Sequence, residues 1–307
     1  MRKIVIVLSL FLLVSCIEST EIKVQRFLIK GNEALQKQDI QQAQYYFSEA
    51  VKLDSCFADA LNNLGTLYYN QQQYSKALDF YSQTLACKPN WQTALFNRAN
   101  TFYELKEYYN ALQDLSEVAK INSDTFALHF ARGLVYARMK DFKKAEQAFI
   151  LSLNKNSQSA EAKVNLASVY YYQNKLKEAE ALIEDAILIN DSLANAYNTK
   201  ALVLIKRKQL DEALLAVNKA LKISPKDAFA LNNRGFIYLL QQKEKEALED
   251  FNQSILQDPY NAWVYRNKGI YYLGKNDKVN AARLFEQARK LDDFVEDLDS
   301  LIAVANQ

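Results

Sequence analysis

From about residue 24 onward, apolar residues recur at helical spacing in paired stretches of about a dozen residues, and the pair repeats every 34 residues. The glycines mark the phase: Gly31, Gly65, Gly133, Gly235 and Gly269 lie multiples of 34 apart, and Ala99, Ala167 and Ala201 fill the gaps. Twelve residues after every mark stands an alanine, namely Ala43, Ala77, Ala111, Ala145, Ala179, Ala213, Ala247 and Ala281. Sixteen residues after it stands a bulky apolar group: Phe47, Tyr81, Leu115, Phe149, Ile183, Val217, Phe251 or Phe285. Small residues at fixed points let two helix backbones approach, so each unit reads as a pair of antiparallel helices. Pro89, Pro225 and Pro259 share one position after the second stretch, where a helix must stop, and Asp39, Asp141 and Asp277 stand where they can cap a second helix. One such pair cannot hide its apolar face, so the units are expected to stack. The pattern predicts an all-α solenoid superhelix with eight units at 24–57, 58–91, 92–125, 126–159, 160–193, 194–227, 228–261 and 262–295. The segment 296–307 carries Leu298, Leu301, Ile302 and Val304 at helical spacing and reads as a capping helix.

The amino terminus follows another pattern. Arg2 and Lys3 precede an apolar run over 4–14, too short for an ordinary membrane span of ~20 residues but suited to the core of a signal peptide. Leu13, Val14, Ser15 and Cys16 resemble the lipobox of bacterial lipoproteins. That resemblance implies a signal peptide over 1–15, lipidation of Cys16, and a short tether over 16–23. Ile17 rather than an acidic residue follows the cysteine, which resembles outer-membrane sorting. The expected location is therefore the cell envelope, with the chain held to a membrane through a lipid anchor.

Charge excludes one class of partner. Lys and Arg number 38 against 36 Asp and Glu, and removal of Arg2 and Lys3 with a leader leaves the two signs equal. No whole-chain basic field exists to attract nucleic acid. With one histidine, His129, and no C-x-x-C pair, a metal site has no ligand set and no cofactor is expected. His129 occupies an aromatic position of its repeat and is expected to be packed, with no nucleophile placed near it, so no enzyme is read here. Spacing cannot establish a Cys56–Cys87 disulfide. Cys87 stands at an apolar position, and a buried free thiol is the expectation.

The eight in-phase units resemble the tetratricopeptide repeat family, over about 24–295. Two departures are visible. The turn between helices, often glycine in the family, holds Gln38, Gln72, Lys106, Lys140, Asn174, Lys208, Gln242 and Asn276, so it must take a side chain in a left-handed or nearby conformation. Glu244 and Lys278 replace the aromatic or aliphatic residue that opens the second helix elsewhere, and looser packing is expected there.

In the family, partners are held on the concave face made by first helices. Carried onto this chain, the early repeats offer Asn62, Tyr69, Asn100 and Tyr103, and the late repeats offer Phe229, Asn232, Phe236, Leu240, Trp263 and Arg266. Two readings of the late apolar strip stand: a surface for a ligand or partner, or core buried by curvature and the capping helix. The recurring Asn63, Asn97, Asn165, Asn233 and Asn267 either bond a peptide backbone or belong to the repeat's own structure, and the structural role is favoured. Leu28, Asn62, Thr93 and Ala127 stand where a carboxylate-clamp version would need lysines. The resemblance implies a scaffold or adaptor for a protein or peptide partner in an envelope complex, or alternatively a carrier of an exported peptide or apolar ligand.

Overall fold

The computed structural model describes residues 19–122, 124–292 and 295–307, so Cys16 and the signal-peptide segment lie outside the described residues. Among them 17 α-helices follow one another without a strand. The first helices of the repeats are α1 (Thr20–Gln36), α3 (Ala58–Asn70), α5 (Gln92–Glu104), α7 (Phe126–Arg138), α9 (Ala160–Tyr172), α11 (Ala194–Lys206), α13 (Ala228–Leu240) and α15 (Ala262–Gly274). The second helices are α2 (Ile40–Leu53), α4 (Tyr74–Cys87), α6 (Tyr108–Ile121), α8 (Phe142–Lys155), α10 (Leu176–Ile189), α12 (Leu210–Ile223), α14 (Glu244–Gln257) and α16 (Lys278–Leu291). The tail forms α17 (Leu298–Ala305). The helices gather into two compact units, 1–123 and 124–307. The first holds three hairpins, and the second five hairpins and the tail helix.

The size rule seen in the sequence has a direct cause. A methyl built on Gly31, Gly65, Gly133, Gly235 or Gly269 would lie 2.3–2.8 Å from the ring of Phe47, Tyr81, Phe149, Phe251 or Phe285, the bulky residue sixteen positions on in the same hairpin. Where the mark is alanine, the partner is a smaller aliphatic residue: Ala99 with Leu115, Ala167 with Ile183, and Ala201 with Val217. Volume is thus conserved pair by pair, as close packing demands. All eight shared alanines are fully buried. Two of the described hairpins add a forked arginine–aspartate tie between their helices. Arg98 donates through Nε and Nη2 to both oxygens of Asp114 at 2.8 and 2.7 Å, and Arg234 does the same to Asp250 at 2.7 and 2.8 Å. Each buried carboxylate therefore meets a forked donor.

Every turn residue named above has positive φ, between 59° and 63°. In the first hairpin the Asp39 amide donates to the Ala34 carbonyl and the Gln38 amide to that of Leu35, both at 2.9 Å, which satisfies carbonyls that the helix end leaves open. Asp39, Asp141 and Asp277 then cap the second helices by accepting from the amides of Gln42, Lys144 and Asn280. The looser packing expected at Glu244 and Lys278 is not found at the core: Ala247 and Ala281 remain fully buried, and Glu244 turns outward to pair with Lys275. At the amino end α1 begins at Thr20, capped by Ser19, so helix extends four residues ahead of the repeat boundary. At the carboxyl end Val295, Leu298, Ile302 and Ala305 pack into the core formed by α15 and α16. The tail helix takes the place a ninth first helix would occupy.

The cysteines correct the sequence reading. Cys56, in the α2–α3 loop, and Cys87, the last residue of α4, form a disulfide with Cα atoms 5.5 Å apart. Cys87 ends its helix half-exposed, where a thiol faces the preceding loop instead of the core.

Candidate functional site

In the first unit the inward residues of α3 and α5 form a polar and aromatic rung pair. Asn62 is buried, and its oxygen accepts from the Asn97 amide at 3.1 Å, so it ties two repeats together and is not an open contact. Tyr69 and Tyr103 are half-buried and lean on Tyr74 and Tyr108, with ring centroids 5.4 and 6.1 Å apart. Burial, with Glu104 close by, pushes the Tyr69 phenol up to about 12. Asn100 is half-buried between these tyrosines in sequence and stays partly open to solvent.

The second unit encloses a cavity of about 370 Å³ between α9, α11, α13 and α15. Five of the six late candidates line it: Phe229, Asn232, Phe236, Trp263 and Arg266. Leu240 does not. It is 45% exposed at the end of α13, because the last residue of the helix projects past the cavity's rim. The opposite wall comes from Tyr171, Tyr172, Leu202, Ile205 and Lys206, and Glu296 stands in the lining from the tail. The tail helix itself is seated on α15 and α16, so the strip is neither fully open nor buried as core. Aromatic faces carry cations here: the Arg266 guanidinium lies 5.9 Å from both the Phe236 and Trp263 rings, and the Lys206 ammonium 4.9 Å from the Tyr171 ring. Burial, then the Glu296 carboxylate, raises the Tyr171 phenol well above its ordinary value.

Two ties join parts of the unit that are far apart in sequence. Lys140, in the turn that opens the unit, donates to both oxygens of Asp292 at 2.9 and 3.2 Å, bringing residues 152 positions apart together. Tyr172 of the cavity wall stacks on Phe142 beside this tie, at a centroid distance of 5.0 Å. Arg266 donates to the Glu296 carbonyl at 3.0 Å and to Asp297 at 3.3 Å, fixing the turn that leads into α17.

The recurring asparagines serve the repeats themselves. Asn63 donates to Asn32, Asn97 to Asn62, Asn233 to Asn198 and Asn267 to Asn232, so each links its first helix to the one before. Asn165 instead bonds the Glu161 carbonyl within its own helix. His129 is buried and faces Asp124 at 3.2 Å; Lys155 also bonds Asp124, and the hydrogen bonds from Lys155 and then His129 hold that carboxyl below its ordinary value.

Family models described as tetratricopeptide repeat match residues 58–90, 130–195, 164–228 and 228–261, which together span more than half of the chain. The chain belongs to the tetratricopeptide repeat family. Such repeats generally mediate protein–protein and peptide contacts. No curated protein sequence matches this tetratricopeptide array. Among solved structures it is similar to the APC/C hetero-tetramer Cut9–Hcn1, with a TM-score of 0.68 and 13% identity over 95% of this chain and 57% of that one. PilF of Pseudomonas aeruginosa gives 0.59 and 20% over 73% and 99%. MamA of Desulfovibrio magneticus RS-1 gives 0.53 and 17% over 57% and 98%. At these identities the likeness is one of fold. Within the tetratricopeptide array, the contributions of Asn198, Lys206, Tyr171, Tyr172 and Glu296 to an enclosed site escaped the sequence reading. The family's groove positions included several of them, but closure depends on the curvature of five hairpins, which no single motif encodes.

Proposed function

We propose that this chain is a lipid-anchored adaptor of a bacterial cell envelope, which holds a protein partner on the inward face of its first unit. The observation that carries the reading is the half-exposed rung of Tyr69, Asn100 and Tyr103, a rigid aromatic and amide surface of the kind enriched in protein interfaces. Membrane attachment rests on the pattern ending in Cys16, and the Cys56–Cys87 disulfide supports export, because such bonds persist in oxidising compartments. The similarity to a fold solved within a hetero-tetramer is consistent with a partner-holding role. The test is crosslinking in intact cells followed by capture from membranes. Tyr69→Ala with Tyr103→Ala should abolish recovery of a specific partner while the chain stays folded, with its helical circular-dichroism signal retained. Recovery equal to that of the parent chain would reject the face.

A further inference from the structure

Along the second unit's cavity runs a file of amides whose hydrogen bonds all point one way, and its far end carries unspent donors. Arginine carries only N–H donors, so the oxygen of Asn267 must face Nη1 of Arg266, 2.9 Å away. The Asn267 nitrogen is then left to donate to Asn232 at 3.0 Å, Asn232 to Asn233 at 3.2 Å, and Asn233 to Asn198 at 2.8 Å. Arg266 thereby orients four amides in succession. Each amide oxygen in the file accepts one hydrogen bond and keeps one lone pair, the nitrogens of Asn267, Asn232 and Asn233 each keep one N–H, and the terminal Asn198 nitrogen, which donates to no group among the described residues, keeps both. The surplus of donors therefore falls at the Asn198 end of the file.

The charges agree with the amides. Lys206, on the same helix α11 as Asn198, lies over Tyr171 and forms no ion pair among the described residues. Glu296 is the one carboxylate among the described lining residues; it is exposed and gives its backbone oxygen to Arg266. The aromatic lining comes from Tyr171 on α9, Phe236 on α13 and Trp263 on α15. The volume falls in the range of small-ligand sites, about 300–1,000 Å³.

We propose that this cavity is a binding site for a small organic acid, with an apolar or aromatic body between the aromatic walls and its carboxylate directed to the Asn198 and Lys206 side. The site is separate from the partner face proposed on the first unit, so either can fail alone. The test is calorimetric titration of the full chain with phenylacetate, phenylacetamide, acetate, and a peptide ending in phenylalanine. Phenylacetate should bind, phenylacetamide about tenfold or more weaker, and acetate not measurably, as one charge-assisted contact and one buried ring imply. Lys206→Gln should weaken phenylacetate by a similar factor without altering phenylacetamide, and Glu296→Gln should tighten phenylacetate; both sites are exposed, so the circular-dichroism spectrum should be unchanged. Equal affinity for acid and amide, no effect of Lys206→Gln, or no binding of phenylacetate at millimolar concentration would each overturn the proposal. Tighter binding of the peptide than of phenylacetate would overturn it too, by moving the site to a partner's chain end.

Discussion

Placing a methyl on Gly235 puts it 2.8 Å from the Phe251 ring and 3.1 Å from the Ala247 carbonyl, inside a hairpin whose ring is fully buried. Alanine favours helix over glycine by about 1 kcal/mol, but overpacking a core costs about 1–3 kcal/mol, so Gly235→Ala should lower stability by up to about 2 kcal/mol. The chain itself suggests the rescue, because its alanine-marked repeats carry aliphatic partners. Gly235→Ala combined with Phe251→Leu should lose less than the sum of the single changes in urea unfolding, and strict additivity would reject the pairing. At the helix starts, the Asp141 carboxyl is held below 3.8 by the Lys144 side chain and amide, and that of Asp277 by Asn280. A folded value depressed below the unfolded one means stability that is complete above the unfolded value and lost as pH falls through the folded one. Thermal melts should therefore show less loss between pH 5 and pH 3 in an Asp141→Asn, Asp277→Asn double variant than in the parent; an identical loss would remove the caps from the acid response.

At the scale of elements, the turns show what a sequence can disclose. The eight non-glycine residues at the inter-helix position were legible as left-handed, because a fixed repeat leaves the chain one way to reverse there, and all eight have positive φ. Lys106, at φ 62°, carries a side chain that is exposed, so Lys106→Gly relieves the conformation without removing packing. A gain of about 0.5–1 kcal/mol is expected in chemical unfolding, and a loss would mean the lysine is held by contacts worth more than the strain. Helices, caps and small-residue contacts were legible for the same reason: each is set by neighbours within one 34-residue unit. The Cys56–Cys87 bond, the amide file and the Lys140–Asp292 tie were not, since they join separate repeats and depend on how hairpins curve. The tail lies between these cases. Its helical spacing was plain, but its seat on α15 and α16 was one of two possibilities. Deleting 296–307 should uncover the apolar edge of α16 and release Arg266 from its carbonyl partner, lowering the second unit's melting temperature and promoting aggregation.

At the scale of the whole molecule, Cys56 and Cys87 form a disulfide and Cys16 is proposed to carry a lipid, and the two roles are testable separately. Cys56 and Cys87 close a loop of 31 residues within the first unit, and such a crosslink stabilises by about 3–4 kcal/mol by restricting the unfolded chain. Because the second unit contains no cysteine, reduction should act on the first alone. Calorimetry with and without reductant is expected to shift a transition that Cys56→Ala shifts equally, and to leave unmoved the transition that Asp250→Ala lowers by stripping Arg234 of its partner. A uniform shift of the whole profile would show that the two units unfold as one and would reject that separation. Cys16 makes the opposite prediction. If it carries a lipid, Cys16→Ala, paired with a cleavable secretory leader, should move the chain from the membrane to the soluble envelope fraction while both transitions and the disulfide stay intact. No helix among the described residues is long and apolar enough to cross a bilayer. Continued sedimentation of the folded variant with membranes would therefore transfer the attachment to a bound partner. The Tyr69→Ala, Tyr103→Ala pair would separate that outcome from lipid anchoring by releasing the chain even with Cys16 in place.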